Sequence, residues 1–190
     1  MKNLLVVFMY VVLTASTCVA QEAESISMPG PEEAPVPDGL VREYYSGGAL
    51  KGIVTYENGK REGSARSYHD NGNLEVEMYF KNDLPEGTAR YFDRDGKIQA
   101  EHLFREGKLT GVSRMYDLDG TLWEERGYRQ GVQHGITKGY YKNNSLKSES
   151  MYEEGILVWQ KGYDEKGKLI LQRQGEELQS NGEPDTSASK

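Results

Sequence analysis

Cysteine is all but missing from this sequence. Of 190 residues only Cys18 is one, and it sits in the N-terminal apolar segment. If that segment is removed, the remaining chain has no thiol, which excludes disulfides, thiol catalysis and thiolate-ligated metal. Aliphatic content is also thin. The hydrophobic fraction is 36% and the mean hydropathy is -0.74, too low for a thick globular core. Histidine occurs three times, and His69, His102 and His134 share no metal-ligand spacing. There is no Gly-x-Ser-x-Gly elbow, no phosphate loop and no dinucleotide fingerprint. The only long apolar run, Leu4 to Leu13, is too short to span a bilayer as a helix. Net charge in the middle of the chain is missing too. The total of -7 comes from residues 21–38, with five acids and no base, and from residues 175–190, with four acids and one lysine, offset by Lys2. The part between them is neutral and offers no field for nucleic acid or an anionic membrane.

Tyrosine and glycine are abundant, with 13 and 22 copies. Many tyrosines and glycines with few aliphatics suit short strands and tight turns. Their arrangement is periodic. Gly39, Gly63, Gly87, Gly111 and Gly135 are spaced by 24. Further columns keep the same period: Tyr44, Tyr68, Phe92, Tyr116 and Tyr140; Gly48, Gly72, Gly96 and Gly120, closed by Asn144; Leu50, Leu74, Ile98, Leu122 and Leu146; Tyr56, Phe80, Phe104, Tyr128 and Tyr152. A shortened sixth unit survives as Tyr163, Gly167 and Leu169. Such self-similarity is the mark of a repeat array.

Each unit reads as a β-hairpin. A first strand runs from the leading glycine past the aromatic, a turn such as Arg94-Asp95-Gly96-Lys97 follows, and a second strand runs from Ile98 to Phe104. A four-residue turn sets Arg66 opposite Glu77, Arg90 opposite Glu101, Arg114 opposite Glu125 and Lys138 opposite Glu149. Opposite charges in matching columns support that register. Alternation then places the Arg/Glu pairs with Tyr68, Phe92, Tyr116 and Tyr140 on one face. The other face receives the leucine column, the Phe80 column and the small residues Ala65, Ala89 and Ser113. Six-residue turns between units would lay Phe80 over Gly87 and Phe104 over Gly111. The fold expected is all-β: an elongated single-layer antiparallel sheet of tandem 24-residue hairpins.

The organisation that follows has four parts. Residues 1–20 read as a signal peptide, with Lys2, the apolar run and cleavage after Ala20. Residues 21–38, with Pro29, Pro31, Pro35 and Pro37 among acids, read as a disordered linker. Residues 39–171 hold about six repeats, and residues 172–190 read as a disordered tail. The protein is therefore expected outside the cytoplasm, periplasmic or extracellular, with membrane association only if Cys18 is lipidated.

Units of the form Gly-x-x-Arg-x-Tyr-x-x-x-Gly-x-Leu, as in Gly111 to Leu122, resemble bacterial MORN-variant repeats of the YwqK-type, antitoxin-like family. That resemblance covers residues 39 to about 171 and implies antiparallel hairpins used for protein contact or scaffolding, without a cofactor.

Candidate site residues are few. Asp93-Arg94-Asp95-Gly96 and Asp117-Leu118-Asp119-Gly120 open like a calcium loop, but position twelve is Phe104 or Tyr128, so they read as plain turns. Glu77, Glu101, Glu125 and Glu149 could act as paired acids of a hydrolase working on cell-wall material, yet their partners are basic. Arg66, Arg90 and Arg114 beside Tyr68, Phe92 and Tyr116 have the composition of an interface. Trp123 and Trp159 break their columns and join them as candidates. The partner expected is a protein or a cell-surface glycan. No catalytic or metal residue is expected.

Overall fold

The computed structural model describes residues 38–174. The expected signal segment, nearly all of the linker and residues 175–190 lie outside the described residues. The strands are β1 Gly39–Tyr44, β2 Leu50–Glu57, β3 Lys60–Tyr68, β4 Leu74–Lys81, β5 Leu84–Phe92, β6 Ile98–Arg105 and β7 Lys108–Leu109. They continue with β8 Gly111–Tyr116, β9 Leu122–Arg129, β10 Val132–Tyr140, β11 Leu146–Glu153, β12 Ile156–Tyr163 and β13 Leu169–Gln174. They form one open antiparallel sheet in chain order, with the two-residue β7 paired to β6 alone. The array thus runs to Gln174, past its expected end at residue 171.

Two turn types alternate, and both are written in the sequence. Within each unit a three-residue loop joins the strands. In the second unit the His69 N–H donates to the Asn73 carbonyl at 2.8 Å and the Gly72 N–H to the His69 carbonyl at 2.9 Å. The last loop residue must take a left-handed backbone, and Gly72 does so at φ 87°. Asn144 fills the same place at φ 63°, which explains why asparagine closes the glycine column. The expected four-residue turn is therefore corrected. The loop is one residue shorter, and a bulge takes up the difference, with a register shift between Ser67 and Tyr68.

The joints between units are not six-residue turns. They are two-residue hairpins with both residues at positive φ, such as Asn82 at 49° with Asp83 at 67°, and Glu106 at 51° with Gly107 at 78°. That is the turn whose twist matches the flanking strands. The strand resumes before the leading glycine and bends there, where Gly63 and Gly87 take φ 92° and 76°. Consequently Phe80 pairs with Gly63 of its own unit, and Phe104 with Gly87, rather than with the next leading glycine.

The predicted register holds along the body of each hairpin: Arg66 faces Glu77, Arg90 faces Glu101, Arg114 faces Glu125 and Lys138 faces Glu149. One face assignment changes. The bulge flips the parity beyond it, so Tyr68 pairs with Leu74, Phe92 with Ile98 and Tyr116 with Leu122. The leucine column therefore joins the aromatic column on the charged face. Burial falls on the opposite face, at Val54, Ala65, Phe80, Ala89 and Ser113. Val54, Ala65 and Phe80 form the core cluster, with Tyr56 and Met78 packed against it. The Arg61 guanidinium lies 4.1 Å from the Phe80 ring centroid and closes that cluster from outside.

Candidate binding surface

The register between units does something that pairing within units does not reveal. Glu77 faces Arg90 of the next unit as well as Arg66 of its own. Glu101 likewise faces Arg114, Glu125 faces Lys138, and Glu149 faces Lys161. The result is a single row across the sheet: Arg66, Glu77, Arg90, Glu101, Arg114, Glu125, Lys138, Glu149, Lys161. Arg42 and Ile53 precede it on β1 and β2, and Gln172 ends it on β13. Arg66 reaches Glu77 at 2.7 Å, Arg90 reaches Glu101 at 3.1 Å and Arg114 reaches Glu125 at 3.1 Å. Arg90 also lies 3.9 Å from Glu77, so its charge bridges two units.

Tyrosines of the following unit complete the row. The Tyr116 hydroxyl donates to Glu101 at 3.1 Å, Tyr140 to Glu125 at 2.8 Å and Tyr163 to Glu149 at 3.2 Å. Each of these glutamates thus takes a tyrosine on one carboxylate oxygen. For Glu101 and Glu125 the other oxygen accepts from an arginine. Phe92 has no hydroxyl, and there Arg90 approaches Glu77 instead. Burial first, and then the hydrogen bond and charge of Glu125, push the Tyr140 phenol up to about 12. Burial and Glu101 also raise Tyr116.

These charges are half exposed and individually weak, at roughly 0.2–1 kcal/mol per pair. Their sign pattern is the informative part. Arg90→Ala is expected to cost no more than about 1 kcal/mol. Arg90→Glu, which sets three acids side by side, is expected to cost more than Arg90→Ala at low salt, with the gap closing as salt rises. Urea titrations of both variants check this.

Tyr140 supplies a pH prediction. Its folded pKa lies above the unfolded value of 10.0. The associated stability is therefore fully present below pH 10, and it drains away as pH rises from about 10 through about 12. Tyr140→Phe should flatten the alkaline limb of the stability curve, and Glu125→Gln should lower the midpoint of tyrosinate absorbance.

The remaining candidates stand apart. Trp123 is the bulge residue of β9, 43% exposed and next to the buried Glu124. Trp159 pairs with Met151 on one side and Gln174 on the other, and the Lys161 ammonium lies 5.3 Å from its ring. Trp159, Lys161, Gln172, Arg173 and Gln174 line an open groove of about 330 Å³ at the last two strands. The two tryptophans lie on β9 and β12, so the fold does not bring them together.

Sequence columns placed Phe80, Ala65, Ala89 and Ser113 on the opposite face but missed the rest of it. There one row runs Val41, Val54, Ala65 in the early units, and Ser113, Arg126, Thr137, Ser150, Gln160 in the later ones. Its character changes from apolar to polar along the array. Arg126 pairs with the buried Glu124 on its own strand. His102 stacks edge-on against Tyr91 and Phe104, at 5.4 and 6.5 Å. Burial, and then the charge of Arg126, press its pKa down and favour the neutral ring. Arg126, Ser150 and Gln160 keep no column, so the polar end of the row gave no sequence signal. His69 bonds the Phe92 carbonyl at 3.0 Å and His134 lies 3.7 Å from Glu154, so the three histidines do not converge. Asp93 accepts the backbone N–H groups of Asp95 and Lys97 at 2.9 Å each, and Asp117 those of Asp119 and Thr121. Both aspartates are spent on their own loops. Among the described residues no three potential metal ligands come together.

Sheet and site together define an all-β tandem-repeat protein in which hairpins share one continuous sheet. The repeat itself is then identifiable: the family described as MORN repeat variant matches residues 37–58, 61–82, 85–106 and 133–154. Four stretches match by that measure, and among the described residues the strands form six hairpins. The unit between residues 108 and 129 folds like the others but replaces column residues by Trp123, Arg126 and Gly127. No curated protein matches the chain.

Proposed function

We propose that this protein is an exported, non-catalytic binding or scaffold module of the cell envelope, engaging its partner with the exposed surfaces of the sheet. The observation that carries this reading is the use made of the acids. Glu77, Glu101 and Glu125, the residues a hydrolase would need, are each held by arginine, and Glu101, Glu125 and Glu149 by tyrosine. What the fold leaves available is a broad surface of side chains suited to contact. MORN repeats are often involved in binding, which agrees. An antitoxin-like role is the narrower form of the same reading, with a partner protein captured along the array.

Within this reading the Trp159 groove is the favoured contact. It offers an indole, a cation and three amide or guanidinium donors within one open depression. The test is recovery of a partner from envelope fractions on immobilised protein. Trp159→Ala should abolish recovery while leaving the urea midpoint close to that of the parent, and Trp123→Ala should reduce it less. Turnover of any cell-wall substrate that disappears with Glu101→Ala in a folded protein would contradict the proposal. Export is tested separately, by an intact mass that begins at Gln21.

A further inference from the structure

The sheet is open, and among the described residues β1 and β13 each have a neighbour on one side only. We propose that these two edges recognise each other: the array associates head to tail with a second copy of the same chain, the outer edge of β13 meeting the outer edge of β1.

Strand direction comes first. All pairings are antiparallel, and twelve strands lie on the path. The first and last therefore run in opposite directions, and a junction between β13 and the β1 of a second copy is antiparallel like every internal junction. Register comes second. At internal junctions Val76 faces Tyr91 and Glu77 faces Arg90, Ala100 faces Met115 and Glu101 faces Arg114, Ser148 faces Gly162 and Glu149 faces Lys161. The same rule applied to the outer edges sets Gln172 against Arg42 and Leu171 against Glu43 of the next copy.

Side chains at that register fit. Gln172 stands where the glutamates stand in the preceding units, and Arg42 where the arginines stand, so a neutral amide acceptor faces a guanidinium across the boundary. One residue further along stand Tyr44 and the bulge residue Ile170, on opposite faces of the junction. They are 55% and 64% exposed, among the more exposed large apolar residues of the sheet. Internal copies of the Tyr44 column are covered by a neighbouring unit, whereas among the described residues no unit precedes β1 to cover Tyr44. Arg173, two residues along from Leu171 on one face, lies diagonally across from Glu43. Protection of the kind edge strands carry is slight, since β13 reads Leu-Ile-Leu-Gln-Arg-Gln with one charge and no proline. The contact uses two different surfaces, so it is heterologous and extends rather than closing at two copies.

The experiment is sedimentation of the full chain across a concentration series at low salt. Arg42 and Gln172 are both exposed, so substitutions there leave the hairpins intact. The average mass should rise with concentration beyond that of a dimer. Gln172→Glu should tighten association about two- to fivefold, and Gln172→Lys should weaken it by a similar factor. In the Arg42→Glu background both effects should change sign. A chain that stays monomeric throughout, with Gln172→Glu as well, would overturn the proposal. So would substitution effects that keep their sign in the Arg42→Glu background, or growth that stops at two copies.

Discussion

Gly127→Ala is expected to destabilise the protein by about 3 kcal/mol or more, lowering the thermal midpoint by roughly 10 °C. Gly127 lies inside β9, where neighbouring units carry tyrosine, leucine or methionine in the same column. A Cβ placed there would collide with the His134 carbonyl oxygen. The obstacle is backbone, fixed in the bend that β10 makes before Gly135, and no rotamer change relieves it. Relief requires β9 and β10 to part where the pairing already skips from Gln133 to Thr137. Gly87→Ala is the control. Gly87 has φ +76°, but nothing lies within 4 Å of its added Cβ. Only backbone strain remains, about 1–2 kcal/mol. Thermal melts that rank Gly87→Ala as the milder change support the assignment of the bend. Equal losses would mean that β10 does not cross Gly127 as described.

Phe80→Ala is the second large effect, with about 3 kcal/mol expected. Phe80 is 6% exposed and packs with Val54 and Ala65, drawn from three successive strands. A single-layer sheet has no second layer to collapse into the gap, so the neighbours stay hydrated on the side the ring had covered. Arg61 would also lose the ring over which its guanidinium rests. Because Phe80 joins the first two units, the loss should appear as early melting of the N-terminal hairpins. Hydrogen exchange should therefore speed up in β2 to β4 before it changes in β10 to β12. Uniform acceleration along the whole array would show that the units melt together and that nearest-neighbour contacts do not set the stability.

Much of this architecture could be read directly from the residues. The period, the hairpin, the Arg/Glu register and even the Asn144 substitution follow from turn chemistry and cross-strand charge. The joints between units did not follow, and the reason is specific. Glycine spacing marks both a turn and a bend within a strand, and Gly63, Gly87 and Gly111 mark bends. Reading them as strand starts lengthened each joint and hid the row that Glu77 and Arg90 build between units. The parity of Leu74 was lost for a related reason, because the bulge beside Tyr68 is an extra residue with no sequence signature of its own. For the binding surface, Arg66, Arg90, Arg114 and Tyr116 were visible as columns, but only coordinates show how fully the ladder occupies them. Glu124 and Arg126 were invisible, and His102 stood out only as a histidine without a ligand partner, because they belong to one unit or two, and a column needs more.

Everything rests on consecutive hairpins being zipped into one sheet with Glu101 facing Arg114 across the joint. Cysteine pairs test that most directly, in a Cys18→Ser background so that no other thiol is present. Opposed residues of an antiparallel pair stand about 4.5–5.5 Å apart at Cα, within the span of a disulfide. Glu101→Cys with Arg114→Cys should oxidise to an intramolecular bridge, whereas Glu101→Cys with Lys138→Cys, separated by two further strands, should stay reduced. Bridging of the distant pair, or none in the adjacent one, would contradict the account.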